Sequence, residues 1–219
     1  MRSGGADNKK MFLYHGGICF ITDQTCVSLP LLDMVKRVLD GGITFVQYRE
    51  KRRSRREIHE EAIRLRDLTR SYNAVFIIND HADIALAVDA DGVHLGQDDL
   101  PLKEARKIMG RKIVGISTHN LEQAEEAEAG GADYIGFGPI FHTTTKDAGT
   151  PQGVDILGII KQNCSIPVVA IGGIGIETAA DVMRAGADAV AVATAICKGD
   201  ITQNAKRFCD LMQKDPGGQ

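Results

Sequence analysis

The chain has 219 residues, a length for one sizeable domain, and 43% of them are hydrophobic, which excludes a disordered chain. Lys and Arg number 26 against 29 Asp and Glu, for a formal charge of −3; this argues against general nucleic-acid binding but leaves room for a basic cleft that takes a small anion. The five cysteines (Cys19, Cys26, Cys164, Cys197 and Cys209) are odd in number and widely spaced without a CxxC pair. Neither a disulfide scaffold nor a zinc site is expected, and a reducing cytoplasm fits.

The first ten residues, MRSGGADNKK, lack the apolar core of a signal peptide, and no apolar run approaches membrane-spanning length. Residues 1–12 and 215–219 read as loose tails around one domain over 13–214. Within it, strands are predicted at 18–22, 43–48, 75–79, 92–95, 113–117, 134–138, 168–171 and 189–193. Amphipathic helices are predicted between and after them at 31–39, 55–70, 82–88, 102–109, 121–128, 155–162, 177–184 and 201–212. Strict alternation implies parallel strands with crossover helices, an α/β fold. A doubly wound sheet is one solution; eight units favour a closed (β/α)8 TIM barrel in a single domain. AGGADYIGFG from Ala129 resembles RAGADAVAVA from Arg184, and DADGVHLG from Asp89 is a fainter copy. Each puts a small turn ending in Asp before a buried strand, although αβ turns in general look alike.

Unusual polar residues gather just after the strands. Gln47, Arg49 and Lys51 follow the second; Asn79 and Asp80 close the third; Gln97, Asp98 and Asp99 follow the fourth. Ser117 and His119 close the fifth, the stretch from Gly138 to Lys146 follows the sixth, Gly172 and Gly173 the seventh, and Thr194 the eighth. In a barrel these ends share the face on which such enzymes do chemistry. Glycines at 172–173 let a backbone approach a phosphate, and with the Thr194 loop they point to a phosphate site, against the alternative of a tight turn. Asp80 and Asp99 are hard oxygen donors suited to magnesium; Asp80 could equally cap the helix at Ala82, and spacing does not separate Asp98 from Asp99. Alternation puts Gln47, Arg49 and Lys51 on one side, where a guanidinium fork and an ammonium suit phosphate; Arg52 to Arg56 read as a solvated helix start. The loop from His142 to Lys146 carries hydroxyls and an ammonium over the barrel mouth, as an anion-binding lid or a polar surface loop. His94, His119 and His142 show no ligand spacing and are expected to be ordinary hydrogen-bonded histidines.

The strings QYREK at Gln47, INDHADIAL at Ile78, DGVHLGQDDLP at Asp91, GISTHN at Gly115, GADYIGFGPIFHTTTK at Gly131 and AIGGI at Ala170 occur in the order found in one known family. From Ile18 to Met212 the chain resembles thiamine-phosphate synthase. The resemblance implies a cytoplasmic transferase that joins an aminopyrimidine methyl diphosphate to a thiazole ethyl phosphate by a dissociative mechanism, releasing pyrophosphate, with one Mg2+ per active site. It implies that Gln47, Arg49, Lys51, Asn79, Ser117 and Lys146 contact the pyrimidine diphosphate, and it counts Tyr48 and Glu50 of the same segment among the pyrimidine-binding residues. The catalytic residues it implies are Lys146, Arg49, Lys51 and Ser117. Asp80 and Asp99 would hold magnesium, and Thr143, Thr144, Thr145, Gly173, Ala193 and Thr194 the thiazole phosphate. His142 stands where the family usually has proline and Thr194 where it has serine. Tyr48 replaces an aliphatic residue and is expected to point away. The rival readings are a thiazole tautomerase of the same fold and a non-catalytic barrel that binds a phosphorylated ligand. The implied partners are phosphorylated small molecules, with no nucleic acid or membrane; a homo-oligomer is left open.

Overall fold

The computed structural model describes residues 17–143 and 149–214. The expected tails, and Thr144, Thr145 and Lys146 of the lid, lie outside the described residues. Strands β1 (Ile18–Ile21), β2 (Phe45–Tyr48), β3 (Val75–Asn79), β4 (Gly92–Leu95), β5 (Ile113–Thr118), β6 (Tyr134–Phe137), β7 (Val168–Ile171) and β8 (Ala189–Val192) each pair in parallel with the next. β8 returns to β1, with Val192 opposite Phe20, so the sheet is a closed barrel rather than a doubly wound one. Helices α1 (Leu31–Asp40), α2 (Arg55–Ser71), α3 (Ala82–Ala87), α4 (Leu102–Met109), α5 (Leu121–Gly130), α6 (Asp155–Asn163), α7 (Ile176–Arg184) and α9 (Ile201–Lys214) were expected within a few residues. The four-residue α8 (Thr194–Cys197) was not. It is too short to show a period, and the small apolar residues of AVATAI read equally well as the end of a strand.

Alternation along each strand makes two cores. Cys19, Ile21, Phe45, Ile77, Tyr134, Val169, Ala189 and Ala191 fill the barrel interior, while the other strand faces pack against the helices. Local signals set the helix ends. Ser54 and Glu57 bond reciprocally at the start of α2, and Asn120 accepts the Gln123 N–H at the start of α5. Gly131, at φ 85°, ends α5 in the left-handed conformation that a side chain resists.

The repeated Asp turn has a shared structural purpose. Asp91, Asp133 and Asp188 each bond a neighbouring strand twice, donating N–H to a backbone carbonyl and accepting that residue's N–H on the carboxylate. The partners are Phe76, Val114 and Val168, with N–H to carboxylate distances of 2.7, 2.8 and 2.8 Å. A cation from an even-numbered helix then meets each carboxylate: Arg66 of α2, Arg106 of α4 and Lys161 of α6. These struts tie helix to sheet at the face opposite the strands' C-terminal ends.

Candidate active site

At those C-terminal ends lies a cavity of about 600 Å³ whose lining includes Arg49, Ser117, Thr143, Gly173, Ala193 and Thr194. A second opening of about 630 Å³ is lined by Glu50, Lys51, Asp80 and Asp99, with Arg53 and Arg55. The chain passes from one to the other between Arg49 and Glu50. Most of the described residues singled out in the sequence therefore converge on one face.

Gln47 is 4% exposed, and its neighbours in alternation point into the barrel, so it sits below the mouth. Asn79 ends β3 on the same inward face, below Asp80. Tyr48, expected as one of the pyrimidine-binding residues, does not face the site. It is 2% exposed, packs between sheet and helices, and donates its hydroxyl to Glu61 of α2 at 2.6 Å. Strand alternation alone turns it away, as its position one residue after Gln47 requires.

The two openings have different chemistry. Asp80 does not cap α3, which begins with no side-chain cap; its carboxylate pairs instead with Lys51 at 2.5 Å. The Asp80 backbone is left-handed, φ 65°, while His81 N–H bonds back to Asn79 C=O at 2.9 Å, closing a three-residue turn of a strained kind. That turn aims Asp80 toward Asp99, close enough for each carboxyl to perturb the other. Burial raises the Asp80 carboxyl above the usual carboxylate range, and Asp99 adds to the rise while Lys51 opposes it. Asp99 is held below that range: burial alone would raise it, but the Gly96 N–H at 2.7 Å, the neighbouring Asp80 carboxyl and nearby Lys51 outweigh burial. Asp98 is exposed, so the structure separates the two acids that spacing left equal.

When both carboxyls are ionised they repel one another, and Lys51 balances only one of the two charges. Among the described residues no group of three or more His, Cys, Asp or Glu forms a metal cage. Two hard oxygen donors with room for phosphate oxygens and water fit magnesium.

The first cavity is a backbone cradle. Gly172 and Gly173 have φ of 100° and 66°, and a Cβ on Gly173 would stand 2.4 Å from the His142 carbonyl. The turn and the phosphate readings of these glycines are thus compatible: absent side chains let the seventh loop pack beneath the sixth and leave bare backbone facing the cavity. Across it, Thr194 opens α8, a helix end whose first N–H groups have no partner within the helix. A phosphate beside loops seven and eight and a short extra helix is a recurring arrangement in such barrels.

Two lining residues were missed by the sequence reading, though the rule that found the others applies to them. Thr22 and Asp23 follow β1. The Thr22 hydroxyl, 1% exposed as a residue, accepts the Arg49 N–H at 2.9 Å and donates to the Arg49 C=O at 3.2 Å, fixing Arg49 past the end of β2. Asp23 lies in the field of Arg49; burial raises its carboxyl, but donors from Thr25 and the Arg49 charge bring it below the usual range. Two of the three histidines are hydrogen-bonded as expected: His94 to Tyr134 and Ser117, and His119 to the Gly138 carbonyl. All five cysteines are free thiols. Among the described residues no helix is long and apolar enough to cross a membrane.

The family described as thiamine monophosphate synthase matches residues 18–196. The chain belongs to this family. The thiamine-phosphate synthase of Chloroflexus aurantiacus is 55% identical over 175 residues, 80% of this chain and 81% of that one. The one from Methanosarcina barkeri is 42% identical over 98% of both chains. The thiamine phosphate pyrophosphorylase from Pyrococcus furiosus superposes with a TM-score of 0.86 at 38% identity, covering 94% of this chain and all of the other. Membership makes the chain an enzyme of thiamine biosynthesis, a transferase on a TIM barrel. His142 and Thr194, the positions at which the resemblance led to an expectation of proline and serine, both line the cavity.

Proposed function

We propose that the barrel joins an aminopyrimidine methyl diphosphate to a thiazole ethyl phosphate, giving thiamine phosphate and pyrophosphate, in a magnesium-dependent reaction. The observation that carries this reading is the juxtaposition of two unlike anion sites at one barrel mouth: a glycine-and-threonine cradle, and beside it two acids with Lys51. One phosphorylated substrate fits the first and a metal diphosphate the second. Thr143, Gly173, Ala193 and Thr194, with Thr144 and Thr145, would hold the thiazole phosphate. Gln47, Arg49, Lys51, Asn79 and Ser117, with Lys146, would hold the pyrimidine diphosphate, and Glu50 lines the same opening. Magnesium on Asp80 and Asp99 would neutralise charge on the leaving diphosphate.

In a dissociative step the bond from the methylene carbon to the diphosphate oxygen breaks, and its electron pair leaves with pyrophosphate. The thiazole nitrogen lone pair then closes onto the methylene carbon, so no general base is required. What the reaction asks of the protein is charge on the leaving group and a held nucleophile. Arg49, anchored by Thr22, and Lys51, beside Asp80, supply cations at that junction.

The rival readings need less. A thiazole tautomerase has no use for the Lys51, Asp80 and Asp99 group, and a non-catalytic binder would need only the cradle. Pyrophosphate release is measured from the purified protein with both substrates, with and without magnesium. Release that requires both substrates and the metal is expected. No release with both present overturns the synthase, and full release in excess chelator overturns the metal role.

A further inference from the structure

Beneath the mouth, the barrel interior holds a chain of polar side chains where apolar ones would pack. His94 is 7% exposed and has both ring nitrogens engaged: Nδ1 lies 2.9 Å from the Tyr134 hydroxyl and Nε2 lies 2.9 Å from Ser117 Oγ. The two rings lie 5.4 Å apart and tilted by 32°. Space for them is made by missing side chains. A Cβ on Gly115 would stand 2.2 Å from Tyr134 Cζ, and one on Gly136 would stand 3.0 Å from His94 Cε1.

The direction of these bonds follows from what each group offers. Between a phenol and a neutral imidazole the O–H is the more acidic donor and the bare ring nitrogen the better acceptor, so the Tyr134 O–H goes to His94 Nδ1. A neutral imidazole that accepts at Nδ1 carries its proton on Nε2 and donates it to Ser117 Oγ. Ser117 lines the cavity, and its own O–H is then turned away from His94 and toward the ligand space.

We propose that His94 and Tyr134 are positioning residues which fix Ser117 as a hydrogen-bond donor into the active site, so that the enzyme reads an acceptor atom of the pyrimidine diphosphate there. The identity of that ligand rests on the function proposed above; the direction of the relay does not.

Two measurements test it. In the ligand-free protein with 15N-labelled histidine, NMR reports the His94 tautomer, assigned by the signal lost in His94→Asn. A proton on Nε2 with Nδ1 bare is expected, and a proton on Nδ1 overturns the relay whatever the substrate proves to be. Binding of each substrate is then titrated to Ser117→Ala, Tyr134→Phe and the double variant. Ser117→Ala is expected to weaken pyrimidine diphosphate about tenfold, the scale of one hydrogen bond. Tyr134→Phe should weaken the same ligand and spare the thiazole phosphate. The double variant should bind no more weakly than Ser117→Ala alone, because the residues act through one hydroxyl. Losses that multiply in the double variant overturn the proposal. If Tyr134→Phe does not fold, the tautomer decides. Wild-type protein that binds no pyrimidine diphosphate counts against the synthase reading and leaves the tautomer result standing.

Discussion

Substituting Gly173 by alanine separates a backbone argument from a contact argument. At φ 66° a Cβ costs about 1–2 kcal/mol wherever it sits. Here it would also stand 2.4 Å from the His142 carbonyl oxygen and 2.8 Å from the Phe141 Cβ, and neither is the far end of a flexible side chain. Overpacking of this kind adds about 1–3 kcal/mol. The sum is roughly 2–5 kcal/mol, or a fall in melting temperature of roughly 5–15 °C for a chain of this size. Gly110 is the control: its φ is 58°, nothing lies within 4 Å of its Cβ position, and it joins α4 to β5 at the opposite face. Gly110→Ala therefore carries only the backbone part. Both variants are unfolded by calorimetry, and each substrate is titrated separately. Gly173→Ala is expected to melt several degrees below Gly110→Ala and to lose thiazole phosphate affinity, because the displaced sixth loop carries Thr143. Equal melting temperatures would refute the contact with that loop.

Asp80→Ala and Asp99→Ala are each expected to abolish the magnesium-dependent part of pyrophosphate release, while exposed Asp98→Ala retains it; loss in Asp98→Ala alone would reassign the metal. Asp188→Asn should destabilise the fold by roughly 2–4 kcal/mol in urea unfolding, because Lys161, 2.6 Å away, loses its counter-charge in a nearly buried pair. An unchanged midpoint would show that the strut contributes nothing. Lys146→Ala is expected to slow single-turnover chemistry on the order of a hundredfold, the scale of one preorganised donor, and Lys146→Arg should recover part of it. A wild-type rate in Lys146→Ala would remove this residue from the mechanism.

Strands, helices and their alternation were legible in the chain because each strand here is a short apolar run and most helices are long enough to show a period. The barrel, and the face that carries the site, followed from eight such units. The repeat at Asp91, Asp133 and Asp188 was visible as a pattern, but its reason was not: the partners Arg66, Arg106 and Lys161 lie 25 to 27 residues away. Spacing likewise could not choose Asp99 over Asp98, since both follow the same strand; the strained turn at Asp80 and the Gly96 N–H made the choice. Nor could it give Gly115 and Gly136 their purpose, because a glycine in a strand shows that a side chain is absent without showing which rings fill the space. The local code thus determined the elements and which residue types cluster at their ends. The packing of neighbouring units decided which of those residues meet, because the partners are separated in sequence by a strand or a helix and only the folded barrel brings them together.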